Sequence, residues 1–189
     1  MKKEIITISG LPGSGKSSTA NKVAEKLGYK RFSTGDFMRK IALSMNISLM
    51  ELSKIAEQDN GEIDKKIDDE NRKLKEDNKF VIDSRLAFHF IPESFKIFLD
   101  LPLEISKERI TSNLKTNALR QESEKAENTE EVYKNITERL ESEKKRYLQF
   151  YNIDYTNKHN FDLVIDTNKH NLEEVVEIII NEYLNWLKS

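Results

Sequence analysis

Residues 5–18, IITISGLPGSGKSS, join a short apolar segment to a glycine-rich loop. The run from Ile5 to Ile8 predicts a buried strand that stops at Gly10. Gly10 opens the pattern G-x-x-x-x-G-K-S, and the apolar spacing after Ser17 is typical of a helix. A strand, a glycine-rich loop and a helix N-terminus are the three parts that a phosphate cradle requires. The stretch therefore predicts an α/β fold with a nucleoside triphosphate site after its first strand.

The loop contains the residue types that bind phosphate. Glycines permit backbone torsions that other residues avoid, so several N–H groups can point at one anion, and the helix start adds further donors. Lys16 supplies a charge for the β- and γ-phosphates, and the Ser17 hydroxyl is placed to bind Mg²⁺. A turn that only reverses the chain would not need these flanking elements. The triphosphate-binding residues predicted here are Gly10, Leu11, Pro12, Gly13, Ser14, Gly15, Lys16, Ser17 and Ser18.

The composition limits the class of protein. A chain of 189 residues suits one domain with insertions, and a net charge of −2 gives no electrostatic reason to expect nucleic acid or an anionic membrane as partner. The absence of cysteine excludes disulfides and thiol catalysis. No signal-peptide pattern follows Met1, and no apolar stretch approaches the length of a bilayer span. We therefore expect a cytoplasmic protein, and a monomer.

The remaining chain alternates short apolar segments with helical patterns. Further strands are predicted at 29–33, 80–83, 95–100 and 161–166, which gives a parallel sheet of five strands covered on both faces. Residues 34–77 contain three helical patterns, the first beginning near Phe37, and are predicted to form an inserted helical subdomain. Residues 115–130 are polar without periodicity and are predicted to be mobile. A long charged helix should then reach Tyr151, and a last helix should begin at Asn171.

Two further stretches end at the same edge of the sheet as the glycine-rich loop. In Ser33 to Arg39, STGDFMR, a basic residue one turn into a helix can grip a phosphate, although a lone arginine could also be a solvated helix charge. In Asp83-Ser84-Arg85, the carboxylate could order the water shell of Mg²⁺ while Arg85 provides a second phosphate clamp.

Six segments together resemble the nucleoside monophosphate kinases. In chain order they are ISGLPGSGKSSTA, STGDFMR, EIDKKIDDE, VIDSRLA, RLESEKKRYLQFYNID and DLVIDT. The glycine-rich loop is common to many enzymes, and STGDxxR is shared with adenylate kinases. The tract SRLA and the last two segments resemble more narrowly the archaeal-type cytidylate (CMP/dCMP) kinases. The resemblance covers nearly the whole chain.

This resemblance implies a fold, an activity and a set of ligands. It implies a P-loop NTPase with a three-layer sandwich and a five-stranded parallel sheet. The chain would be a single domain over 1–189, with a monophosphate-binding insertion at 34–77 and a helical lid at 113–142. The implied reaction is direct, in-line transfer of the γ-phosphoryl group from ATP to CMP or dCMP, with Mg²⁺ as cofactor and small nucleotides as the partners.

The resemblance also assigns roles to arginines. Arg139 and Arg146 are seven residues apart on one helix, hence on one face, and would reach the transferring phosphoryl group. Alternatively they could form surface pairs with neighbouring charges such as Glu143. Arg109 would lie against the adenine ring of ATP, beside the loop after Asp166. Five of the chain's eight arginines fall at implied contacts, namely Arg39, Arg85, Arg109, Arg139 and Arg146.

The acceptor nucleoside is the least determined part of the prediction. Thr34, Asp64 and Asp68 are the residues predicted to read it, because a carboxylate can accept a hydrogen bond from the cytosine amino group. Both carboxylates could equally be solvated charges. The chain also departs from the family, which usually has glycine at Ser84 and arginine at Asn113. Lys115 or Arg120 could substitute for that arginine.

Three alternatives stay open. A kinase could act on AMP, UMP or a non-nucleotide alcohol instead. A GTP-dependent switch should contain N-K-x-D, but the candidates at 157–160 and 168–171 both end in Asn. A regulatory module could keep the nucleotide cradle and lack turnover.

Overall fold

A parallel sheet forms the centre of the molecule. The computed structural model describes residues 2–114 and 129–189. Within them the strand order is β2-β3-β1-β4-β5, and every pairing is parallel. The predicted five-stranded parallel sheet and α/β fold are therefore confirmed. The strands are β1 (Ile5–Gly10), β2 (Lys30–Ser33), β3 (Phe80–Asp83), β4 (Phe95–Asp100) and β5 (Leu163–Asp166).

Helices connect the strands on both faces of the sheet. Short 3₁₀ turns cover Leu74–Glu76 and Lys158–Asn160. None of the helices in the described ranges is long and apolar enough to cross a membrane. In chain order the α-helices are α1 (Lys16–Leu27), α2 (Thr34–Ser44), α3 (Leu49–Gln58), α4 (Glu62–Lys73), α5 (Ala87–Phe90), α6 (Leu103–Leu114), α7 (Thr129–Tyr151) and α8 (Leu172–Lys188).

Alternate residues of the strands enter two different cores. Ile6 and Ile8 of β1 pack in a cluster with α1 and α8, where Val176 and Ile179 are fully buried. Ile5 faces the opposite side and packs in a second cluster with residues of β3, α5 and α7. Every residue of β1 is buried, as expected for a central strand that is covered on both faces. The two clusters give the molecule its three layers.

The helices between β2 and β3 have a small core of their own. Met38 of α2, Leu52 of α3 and Ile67 of α4 are buried together. A capping box starts α3, because the Ser48 Oγ accepts from the backbone N–H of Glu51 and the Glu51 carboxylate accepts from the N–H of Ser48. The three predicted helices of segment 34–77 are thus present, and α3 and α4 lie near α7.

The structure corrects several predicted boundaries. Helix α2 begins at Thr34 rather than near Phe37, because the Ser33 side chain caps it and the chain passes directly from β2 into the helix. Strand β5 begins at Leu163 rather than Phe161, after a 3₁₀ turn. Most of the predicted mobile segment, residues 115–128, lies outside the described residues, as does this same part of the predicted lid. Residues 129 and 130, the end of that segment, instead begin helix α7.

Candidate active site

The carboxyl ends of three strands form one side of a cavity. Asp83 at the end of β3 lies in register with Ser33 of β2 and Ile8 of β1, so the glycine-rich loop, α2 and the segment after β3 meet at this edge. A cavity of about 240 Å³ opens there. Polar residues that line it include Lys16, Ser17, Thr34, Arg39, Arg85 and Arg139.

The glycine-rich loop is held close to its neighbours. Gly10 has a φ of 145°, and a Cβ added there would lie 2.3 Å from the carbonyl oxygen of Leu99, so only glycine fits. Ser106 of α6 donates to the carbonyl oxygen of Pro12 at 2.7 Å. The Lys16 Nζ donates to the carbonyl oxygens of residues 10 and 11 of its own loop, both at 2.8 Å. The lysine therefore already lies across the loop that would hold the phosphates.

Ser17 and Asp83 form the candidate magnesium site. The Ser17 Oγ donates to the Asp83 carboxylate at 2.8 Å. Burial raises the pKa of Asp83, and the nearby Arg31 guanidinium partly opposes that rise. Hydroxyl and carboxylate oxygens are ligands that Mg²⁺ prefers, and the ion usually takes only one or two protein ligands beside water and phosphate. The hydroxyl of Ser17 and the carboxylate of Asp83 are such a set of two oxygen ligands, so their chemistry fits Mg²⁺.

Arg31 is a candidate site residue that the sequence analysis did not assign. Its Nη2 lies 2.8 Å from the Asp83 carboxylate, and its Nη1 lies 3.2 Å from that of Asp36. Asp36 also pairs with Arg39, at 3.1 Å. A chain of alternating charges therefore links the candidate phosphate clamp to the candidate metal site. The alternation of β2 could have indicated this role, since Arg31 and Ser33 are two residues apart and share one face.

Three residues predicted for the acceptor side reach the cavity. Thr34, Arg39 and Arg85 all line it. The side chain of Arg39 is only 8% exposed, so the alternative of a solvated helix charge is wrong. Ser84 also lines the cavity, and its hydroxyl accepts from the backbone N–H of Leu86 at 3.4 Å. Asn113, Lys115 and Arg120 have side chains outside the described part of the structure.

Arg139 lies at the cavity together with an unexpected carboxylate. Arg139 is 6% exposed and lies one helical turn before Glu143, which is 1% exposed. The Glu143 Oε1 is 3.8 Å from the Nε of Arg139, and its Oε2 is 2.5 Å from the Nη1 of Arg85. The alternative of surface pairs is therefore wrong for these residues. Burial lowers the pKa of Arg85, but the Glu143 carboxylate acts together with Tyr155 and Tyr147, and their combined effect raises the pKa.

Arg146, Asp64 and Asp68 lie between α4 and α7 instead of lining the cavity. The Arg146 Nε donates to the Asp64 carboxylate at 2.7 Å, and both side chains are 4% exposed. Asp68 accepts from the Tyr151 hydroxyl and is also buried. The alternative of solvated carboxylates is thus wrong. Burial raises the pKa of Asp64 despite the Arg146 charge, and it raises the pKa of Asp68 to about 6.

Arg109 lies at the other end of the site. Its guanidinium donates to the carbonyl oxygen of Thr167 at 2.9 Å and contacts the hydroxyl of the same residue at 3.3 Å. The structure thus brings together Arg109 and the loop after Asp166, the two parts that were predicted to flank the adenine ring. The contact with the ring itself stays a prediction.

Comparison with known proteins gives the family. The model of the cytidylate kinase-like family matches residues 5–169. A cytidylate kinase of Methanothrix thermoacetophila is 37% identical over 163 residues, which cover 86% of this chain and 88% of the relative. A cytidylate kinase of Sulfolobus acidocaldarius is 38% identical over 179 residues, which cover 93% of this chain and 91% of the relative.

Solved structures support the fold. Shikimate kinase from Acinetobacter baumannii aligns with a TM-score of 0.58 at 16% identity, covering 97% of this chain and 94% of that one. Shikimate kinase from Aquifex aeolicus aligns with a TM-score of 0.53 at 19% identity, covering 93% of this chain and 94% of that one. At these identities the likeness to the solved structures concerns the fold alone. The two cytidylate kinases are much more similar in sequence, at 37% and 38% identity. The chain therefore belongs to the cytidylate kinase-like family.

Proposed function

We propose that the protein catalyses ATP-dependent phosphorylation of CMP or dCMP to the diphosphate. The observation that carries the proposal is one cavity in which a glycine-rich phosphate loop faces Arg39, Arg85 and Arg139. The similarity over most of the chain to relatives named cytidylate kinase supports the choice of acceptor. A cytoplasmic monomer that binds only small nucleotides remains our expectation.

The reaction requires alignment and charge neutralisation. An oxygen of the acceptor phosphate attacks the γ-phosphorus of ATP, while the bond from that phosphorus to the β,γ-bridging oxygen breaks. The acceptor is already an anion, so no side-chain nucleophile is needed. Lys16, which now bonds two carbonyl oxygens of the loop, would turn to the β- and γ-phosphates. Arg39 and Arg85 would hold the acceptor phosphate, and Arg139 would stabilise the group in transfer.

Ser17 and Asp83 would hold the magnesium ion, the carboxylate acting through water. When bound, the ion would supply positive charge to the β- and γ-phosphate oxygens. Ser17 donates its proton to Asp83 and keeps its oxygen lone pairs for the ion, so the hydroxyl can bond that carboxylate with or without the ion bound. Arg31 would keep Asp83 ionised and oriented in either arrangement.

The acceptor nucleoside would be read on the side of α2 and α4. Thr34 lies on the cavity and needs no rearrangement. Asp64 and Asp68 each accept from a partner on α7, and neither is among the residues that line the cavity. We therefore place Thr34 first among the three residues.

A coupled kinase assay with ATP and a panel of acceptors tests the proposal. We expect CMP and dCMP to give the highest kcat/KM among CMP, dCMP, UMP, AMP and GMP. AMP exceeding CMP by about an order of magnitude would contradict the proposed acceptor. ATP consumption that does not rise when CMP is added would instead favour a regulatory module without turnover.

A further inference from the structure

Glu143 is an anionic residue that lines a cavity suited to anions. Its side chain is 1% exposed, and it projects from α7 towards the cavity. A buried carboxylate is costly unless it is paired, and a carboxylate beside a bound phosphate would repel it. Its presence at this place therefore needs a reason.

Both of its oxygens face guanidinium groups from different elements. The Oε2 lies 2.5 Å from the Nη1 of Arg85, which follows β3, and the Oε1 lies 3.8 Å from the Nε of Arg139 on α7. Two like charges that share a partly dry cavity repel each other, and a carboxylate between them offsets that repulsion. The side chains of Glu143, Arg85 and Arg139 together carry a net charge of +1, which still attracts a phosphate.

Aromatic residues pack on the same face of α7 as the carboxylate. Tyr147 lies one turn further along α7 and also lines the cavity. Its ring packs edge-on against the fully buried ring of Tyr155, with centroids 5.9 Å apart. This tight packing leaves little freedom to the face of α7 that carries Glu143.

We propose that Glu143 is a positioning residue for the phosphate site. It directs the guanidiniums of Arg85 and Arg139 into the cavity before any substrate binds, and it joins α7 to the end of β3. The reaction needs no general base, because the second pKa of a phosphate monoester is about 6 and the acceptor is mostly a dianion at neutral pH. That the phosphate bound at this site belongs to CMP or dCMP rests on the proposed function.

Steady-state kinetics of two variants separates positioning from packing. Glu143→Gln keeps the size and removes the charge, while Glu143→Asp keeps the charge and shortens the side chain. We expect Gln to lower kcat/KM for CMP by about tenfold or more, with KM for ATP nearly unchanged, and Asp to recover part of the loss. A packing role predicts the reverse order, with Gln more active than Asp, and would overturn the proposal.

The matched control is Glu141→Gln, an exposed glutamate on the same helix, which should leave both constants unchanged. Thermal unfolding of each variant shows whether it folds. If Glu143→Gln does not fold, the activity of Glu143→Asp still tests the proposal. A lower KM for CMP in Glu143→Gln would also overturn the proposal, because the carboxylate would then be a competitor of the phosphate.

Direct binding distinguishes failure of this inference from failure of the proposed function. Inorganic phosphate is titrated calorimetrically into the full chain and into Glu143→Gln, with saturating ADP to fill the glycine-rich loop. We expect about tenfold weaker phosphate binding in the variant, whichever nucleoside the enzyme accepts. Equal binding, or no binding to the wild type, overturns the inference. A wild type that binds phosphate but does not phosphorylate CMP overturns only the proposed function.

Discussion

The substitution Asp68→Asn should stabilise the protein at neutral pH but not at strongly acidic pH. Asp68 is 3% exposed and accepts a hydrogen bond from the Tyr151 hydroxyl. Burial raises its pKa from the ordinary value of 3.8 to about 6. The folded state therefore binds this proton more tightly than the unfolded state does. The stability that results is fully present below pH 3.8 and is lost as the pH rises through about 6.

The size of the effect follows from the same shift. About two pKa units at 1.36 kcal/mol each correspond to a loss of about 3 kcal/mol in the free energy of unfolding between acidic and neutral pH. Asn is neutral at every pH and keeps an oxygen that can accept from Tyr151. At pH 8 the variant should therefore be more stable than the wild type by up to about 3 kcal/mol, and at pH 5 by about half of that.

Urea denaturation at the two pH values measures this difference. Asp69→Asn is the matched control, because Asp69 is the next residue of α4 but is 48% exposed and pairs with Arg72 on the surface. We expect no pH-dependent gain from the control. A gain for Asp68→Asn that is equal at pH 5 and pH 8, or absent at both, would refute the reasoning. KM for CMP in the same variant tests whether Asp68 also reads the nucleoside, since loss of that contact should raise KM.

Four other substitutions test the site and its glycine-rich loop. Lys16→Ala should lower kcat by about a hundredfold while the melting temperature stays unchanged, and retention of most activity would show that Lys16 does not reach the reacting phosphates. Arg39→Lys and Arg85→Lys should each raise KM for CMP in initial-rate assays, because lysine cannot donate two parallel bonds; an unchanged KM in both would contradict the clamp. Gly10→Ala should lower the free energy of unfolding by about 2 kcal/mol or more, since its Cβ would meet the Leu99 carbonyl oxygen at 2.3 Å. Urea midpoints equal to wild type would refute this.

Local sequence signals were sufficient for most of the fold. The apolar runs of β1, β3 and β4 and the glycine pattern after β1 are short-range features, and each predicts its element without tertiary information. The capping boxes at Ser48 and Asn171 likewise start α3 and α8. The start of α2 was missed because Ser33 serves both as the last residue of β2 and as the cap of the helix.

The buried charges of the site could not be predicted in the same way. Glu143 lies among the exposed residues Glu141, Lys144 and Lys145. Its spacing places it on the helix face that Arg139 and Arg146 share, but the sequence does not show that this face is buried. Its burial depends on how α7 docks against the segment after β3. The Arg146–Asp64 pair joins residues 82 positions apart, so it too depends on tertiary packing. Charge patterns in a sequence indicate helices and faces but do not reveal which charges become buried.

The geometry of α7 bears on the separate roles of its two arginines. Residues seven apart share a face, but at 1.5 Å per residue they lie about 10 Å apart along the axis. Arg139 accordingly lines the cavity, while Arg146 reaches Asp64 on α4. For Arg146 to join the transferring phosphoryl group, it would have to leave Asp64 buried without a counter-charge, at a cost of several kcal/mol. If Arg146 instead holds α4 against α7, the pair with Asp64 stays intact. In this arrangement Arg139 is the better candidate for catalysis, and Arg146 is the better candidate for positioning the acceptor side.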